Sequence, residues 1–135
     1  MTALKRALSG AWLGHPLHPA LTDLPIGFWT SAWVLDIVGG KGSRDASRLL
    51  VGLGVLSAVP TAASGISDWT DLADDGKRRL GVVHASANSL AFVSYVASWT
   101  ARRRGEHGRG VAWGMAGATF ATVAGYLGGR LAYRR

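Results

Sequence analysis

The chain has 135 residues, of which 17% are charged and 48% hydrophobic, with 19 glycines, no cysteine and a formal net charge of +7. That length fits one domain, residues 1–135, and the lack of cysteine excludes disulfides, thiolate metal sites and cysteine-ligated iron–sulfur clusters within it. The basic excess does not point to nucleic acid, because the arginines sit in short segments beside long uncharged windows, an arrangement that suits anionic lipid headgroups.

At the N-terminus, Leu4, Leu8 and Trp12 with Lys5 and Arg6 pattern a short helix lying in a membrane interface. No apolar core precedes residue 19, so a cleavable signal peptide is not expected. Next comes "GHPLHPALTDLPIGFW", Gly14 to Trp29, with a proline after each of two histidines. Proline pushes the residue before it out of the helical region. His15 and His18 are therefore expected in an extended, polyproline-like segment that places positions i and i+3 on one side. Pro19 then suits the first helical position, with His18 near the cap and Asp23 in the first turn.

Four apolar windows follow. Leu24 to Leu35 is the shortest, at 12 residues between Asp23 and Asp36, and reaches spanning length only if the helix begins near Pro19 or Ala20. Leu49–Ser67, Leu80–Ala101 and Gly110–Gly129 give 19, 22 and 20 residues without a carboxylate, lysine or arginine. A bilayer core of about 30 Å needs roughly 20 such residues in a helix. Soluble helices would carry a charged face instead. The predicted fold is all-α: a transmembrane four-helix antiparallel bundle with a short N-terminal interfacial segment and spans near 20–38, 48–67, 80–101 and 109–130. Four spans put both termini on one face with the loop between spans two and three. Basic residues divide eight to seven between the faces, which does not orient the bundle by the positive-inside rule. The expectation is a multi-pass protein of the bacterial plasma (inner) membrane with cytoplasmic termini.

Within the spans, Ser57, Thr61 and Gly65, and likewise Gly117, Ala121, Gly125 and Gly129, recur every four residues, as small-residue packing seams do. Pro60 should kink the second span and free a carbonyl for a neighbour to satisfy. Trp12, Trp69, Trp99, Trp113 and Tyr133 fall near span ends, like an aromatic belt.

The polar residues concentrate on one face. His15, His18 and Asp23 open span one, Asp68 closes span two, and His84, Asn88 and Tyr95 share one side of span three. Polar groups in hydrocarbon turn inward unless paired. A pocket of His15, His18, Asp23, Asp68, His84 and Asn88 is therefore expected, with Arg79 at its edge as a partner for Asp68 or an anionic cofactor. On the opposite face Asp36 is expected to neutralise Arg44, Arg48 or Arg109, and "RRRGEHGRG" to be a solvated basic turn.

The stretches "GHPLHPALTDLPIGFW" with Asp36 beyond it, "PTAASGISDW", "RRLGVVHASAN" and "GYLGGRLAYRR" resemble the bacterial membrane family catalogued as domain of unknown function 2231, over nearly the whole chain. The resemblance implies a four-span integral membrane protein without an established activity. Some relatives continue into a Rieske-type iron–sulfur domain, which implies redox company. Many relatives carry histidine where this chain has Asp23 or Thr22, and others carry it at the position of Arg130.

Three readings of function follow. In the first, the chain is a structural or partner subunit of a larger membrane complex or a homo-oligomer, its histidines hydrogen-bonded core residues. In the second it holds haem b or a metal ion through His84 with His18 or His15, a carboxylate fixing the imidazole tautomer. The third is a proton or small-solute conduit, for which polar residues hardly continue beyond Tyr95 and Ser98. Membrane lipids are expected partners. No catalytic triad motif is present, and "GISDWTD" lacks the context of a nucleophile elbow, so an enzyme is not the expected class.

Overall fold

The computed structural model describes residues 2–133, and the terminal Arg134 and Arg135 counted above lie outside them. The described chain is helix joined by short connections: α1 (Ala3–Ser9), α2 (Leu17–Val38), a single 3-10 turn (Lys41–Ser43), α3 (Arg44–Trp69), α4 (Asp75–Arg103) and α5 (His107–Tyr133).

Local chemistry sets the boundaries. The Thr2 hydroxyl accepts the Lys5 N–H at 3.2 Å and starts α1, and the Asp74 carboxylate accepts the Lys77 N–H at 2.7 Å and starts α4. Gly10 ends α1 at φ 76°. A Cβ there would collide with the His15 carbonyl and lie 2.7 Å from the Leu17 nitrogen, so only glycine lets α1 turn back onto α2. The Ser64 hydroxyl donates to the Leu8 carbonyl at 2.7 Å, and Lys5 pairs with Asp71; together they fasten α1 across the end of the bundle.

Helix α2 begins two residues earlier than the proline rule predicts. Pro16, at φ −57° and ψ 133°, is the cap, and Pro19 lies in the first turn. The first four N–H groups of a helix have no intrahelical partner, so a proline there costs no hydrogen bond. His18 is consequently helical, and the expected extended loop holding both histidines side by side is not formed. Pro25 deprives the Leu21 carbonyl of its partner four residues on, and the Thr61 hydroxyl of α3 lies 3.1 Å from it. The freed carbonyl and its neighbour thus occur at Pro25, whereas Pro60 lies on the exposed side of α3.

The four long helices pack in antiparallel order, with α2 and α4 parallel and on one diagonal. Large side chains from this diagonal meet on the bundle axis: His18 with His84, Trp29 with Tyr95, and Asp36 with Arg102. Small residues of α3 and α5 make room for them, including Gly54 under Trp29 and Gly117 under Tyr95. The inward seam of α5 therefore follows Gly110, Gly117, Ala124 and Gly128, while Gly125 and Gly129 face open space.

Burial is inverted relative to a water-soluble bundle. Ser47, Ser64 and Ser98 are 0% exposed and Arg102 is 6% exposed, whereas Leu56, Val59 and Val93 are 70%, 56% and 62% exposed. An apolar outside around a polar inside suits hydrocarbon surroundings. Two helices are long and apolar enough to cross a membrane by length and composition, Lys41–Trp69 and Asp75–Arg103. In α2, Asp23 and Asp36 lower the hydropathy, and in α5 glycine does.

Candidate functional site

Near one end of the axis, α2 contributes His18 and α4 contributes His84. His18 Nδ1 lies 2.9 Å from the Thr61 carbonyl of α3, and His84 Nδ1 lies 2.8 Å from the Ala124 carbonyl of α5. A carbonyl only accepts, so each Nδ1 carries the proton and each neutral ring keeps its lone pair on Nε2. Glycine makes both approaches possible. A Cβ on Gly65 would lie 2.7 Å from Cε1 of His18, and one on Gly128 would lie 3.0 Å from Cε1 of His84. The two rings stand edge to face, with centroids 6.4 Å apart and planes at 87°.

Other predicted members distribute unevenly. Asn88, one turn beyond His84, is exposed rather than enclosed, and places Nδ2 3.0 Å from His84 Nε2 and 3.2 Å from the His84 carbonyl. Asp68 lies within electrostatic reach of His18. His15 and Asp23 do not join: both are exposed, and His15 Nδ1 sits 3.2 Å from the Pro16 carbonyl. Once α2 starts at Leu17, Asp23 turns to its outer face. Arg79 is also exposed, and its neighbour Arg78 instead lies 4.5 Å over the Trp69 ring and donates to the Leu72 carbonyl at 3.2 Å.

Below the histidines, Trp29 and Tyr95 stack at 3.8 Å with planes 9° apart, and the indole N–H donates to the Val51 carbonyl at 3.3 Å. This buried stack separates the histidines from the polar groups at the other end.

That other end holds the largest feature missed by sequence reasoning. Arg102 binds Asp36 with both terminal nitrogens, at 2.9 and 2.6 Å, and the two side chains are only 2% and 6% exposed. Ser47 completes the cluster, donating to Asp36 at 2.6 Å and lying 2.8 Å from Arg102, while Arg102 Nε reaches Ser98 at 3.2 Å. The expected partners of Asp36, namely Arg44, Arg48 and Arg109, are not used. Arg48 pairs with Asp45 and Arg109 with Glu106. His107, just ahead of the apolar part of α5, stands 3.6 Å from Asp36. Its pKa is held below the ordinary histidine value by burial and by the Arg102 cation, against the pull of Asp36. Eighteen residues separate the histidine level from the Asp36–Arg102 level on both α2 and α4, about 27 Å of helix, close to the ~30 Å of a bilayer core.

A helical bundle with outward hydrocarbon and an inward polar column defines an integral membrane protein. The chain matches the family described as "Predicted membrane protein (DUF2231)" over residues 14–135, and it belongs to that family. No curated protein and no solved structure matches it.

Proposed function

We propose that this chain is a four-span protein of the bacterial plasma membrane that holds haem b between His18 and His84. The observation that carries the reading is the pair of imidazoles on facing helices, each with Nδ1 committed to a carbonyl so that Nε2 is the accepting nitrogen. At His84 that nitrogen meets Asn88 Nδ2, a contact that haem would have to displace. A hydrogen bond from the other ring nitrogen to a carbonyl orients a ligating histidine and raises its basicity. The donor set selects the group. Among the described residues no cluster of three or more metal-ligating side chains occurs, and a bare zinc or copper ion takes three or four protein donors. Haem iron needs only axial ligands, since the macrocycle supplies the rest. His18 and His84, with ring centroids 6.4 Å apart, are the residues that would hold the group. When bound, haem would supply one-electron transfer, and a redox subunit or a second copy of the chain would be its partner. This chain's own residues, the Thr61 and Ala124 carbonyls, position the rings.

A second reading, a structural or partner subunit with the histidines as a clamp, is favoured by Asn88, whose Nδ2 already meets His84 Nε2. Haem titration of the purified protein in lipid nanodiscs separates the two. The first reading expects a Soret band that saturates at one haem per chain and is lost in His18→Ala and His84→Ala. A clamp gives no saturable band, and His84→Ala then costs only stability, about 1–3 kcal/mol from the stranded partners.

A further inference from the structure

We infer that the chain is a tandem duplication of one helical hairpin, and that Asp36 and Arg102 make each half pair with the other rather than with its own kind. Three pairs meet across the bundle axis: His18 with His84, Trp29 with Tyr95, and Asp36 with Arg102. Each is a step of 66 residues. The three buried residues of α2, Pro25, Trp29 and Ala32, map by the same step onto Ala91, Tyr95 and Ser98, all buried in α4.

The second helices correspond just as closely, at a step of 63 residues. Every buried residue of α5, namely Gly110, Gly117 and Ala124, has a buried counterpart in α3: Ser47, Gly54 and Thr61. Hydrogen bonds obey the same mapping. His18 reaches the Thr61 carbonyl beside Gly65, and His84 reaches the Ala124 carbonyl beside Gly128. The difference of three between the two steps is a shorter link between α4 and α5. The halves run in the same direction, so the pseudo-twofold axis lies along the bundle, the parallel-repeat arrangement of membrane proteins.

Two equivalent hairpins offer equivalent inner faces, and the partner each face fits is a hairpin of this kind, from the same chain or from a second copy. Pairing two first hairpins would bury Asp36 against Asp36, and pairing two second hairpins would bury Arg102 against Arg102. An unpaired buried charge is strongly unfavourable, so only unlike hairpins satisfy the axis. The far end of the bundle is asymmetric for this purpose: glycine at 110 gives room to the Arg102 stem where its counterpart is Ser47.

This inference is independent of any haem. The test co-expresses two differently tagged copies of the full chain and measures how much of one tag is recovered with the other. Asp36→Asn with Arg102→Gln in both copies removes the discrimination, and co-recovery is expected to rise severalfold above the native pair of copies. Asp36→Arg and Arg102→Asp should each assemble poorly alone and be recovered together when co-expressed, because each then supplies the charge that the other lacks. The inference is overturned if the neutralised chain is as stable as the native one with no rise in co-recovery. It is equally overturned if Asp36→Arg or Arg102→Asp assembles normally by itself.

Discussion

Replacing Arg102 by methionine keeps the apolar stem and deletes four hydrogen bonds: two to Asp36, one to Ser47 and one to Ser98. Asp36 would remain buried with only the Ser47 hydroxyl. Removing one partner of a buried pair costs about 3–5 kcal/mol, whereas replacing both with apolar groups is often neutral or stabilising. The single variant should therefore lose about 3–5 kcal/mol, and Asp36→Leu with Arg102→Met should recover most of it. His107 adds a pH signature. In the native protein its pKa is depressed, so a neutral His107 favours the fold above its unfolded pKa and that contribution fades as pH falls through the folded one. Without Arg102 the charges left acting on His107 are Asp36, 3.6 Å away, and the weaker opposing Arg44, and protonation of His107 then offsets the stranded carboxylate. The single variant should thus be less destabilised near pH 5.5 than near pH 8, the reverse of the native trend. Reversible unfolding in mixed detergent micelles across that pH range measures both effects. A loss below about 1 kcal/mol, or a double variant as unstable as the single, would refute the buried pair.

Further outcomes follow from the axis. Gly65→Val puts a branched side chain where a Cβ alone would lie 2.7 Å from the His18 ring, and should abolish haem uptake with a lower melting temperature. Gly125→Leu, by contrast, enters open space and should leave thermal stability within about 0.5 kcal/mol of native. Trp29→Ala removes one face of the stack and should cost about 3–5 kcal/mol in the same unfolding assay. Cysteines introduced at Ser9 and Gly76 should label from one side of the membrane and those at Gly42 and Gly105 from the other; Gly42 and Gly76 labelling together would exclude four spans.

The all-α fold was legible because uncharged windows of helical spanning length leave few alternatives. The inward face of α4 was legible in part: His84 is half-buried and Tyr95 buried as expected, while Asn88 is exposed. His18 was misplaced because the proline rule governs the residue before a proline in isolation, while a proline in the first helical turn loses no hydrogen bond. That one shift moved His15 and Asp23 away from the site. Arg102 was hidden in "RRRGEHGRG", where three adjacent arginines read as a solvated turn. Yet it lies four residues from Ser98 and seven from Tyr95, on the stripe already pointing inward, and the 3.6-residue period contained that signal. The duplication left few identities, among them His18 with His84 and Trp33 with Trp99. The change of step from 66 to 63 breaks any single-offset comparison of the halves, and only the contacts across the axis reveal it.

The most direct test of the central claim is the low-temperature electron paramagnetic resonance spectrum of the ferric haem-loaded protein. Ligation by His18 and His84 with ring planes near the observed 87° predicts a low-spin signal of strong anisotropy, as perpendicular imidazoles produce, and its disappearance in His18→Ala. A high-spin signal, or a low-spin signal unchanged in His18→Ala, would contradict ligation by this pair.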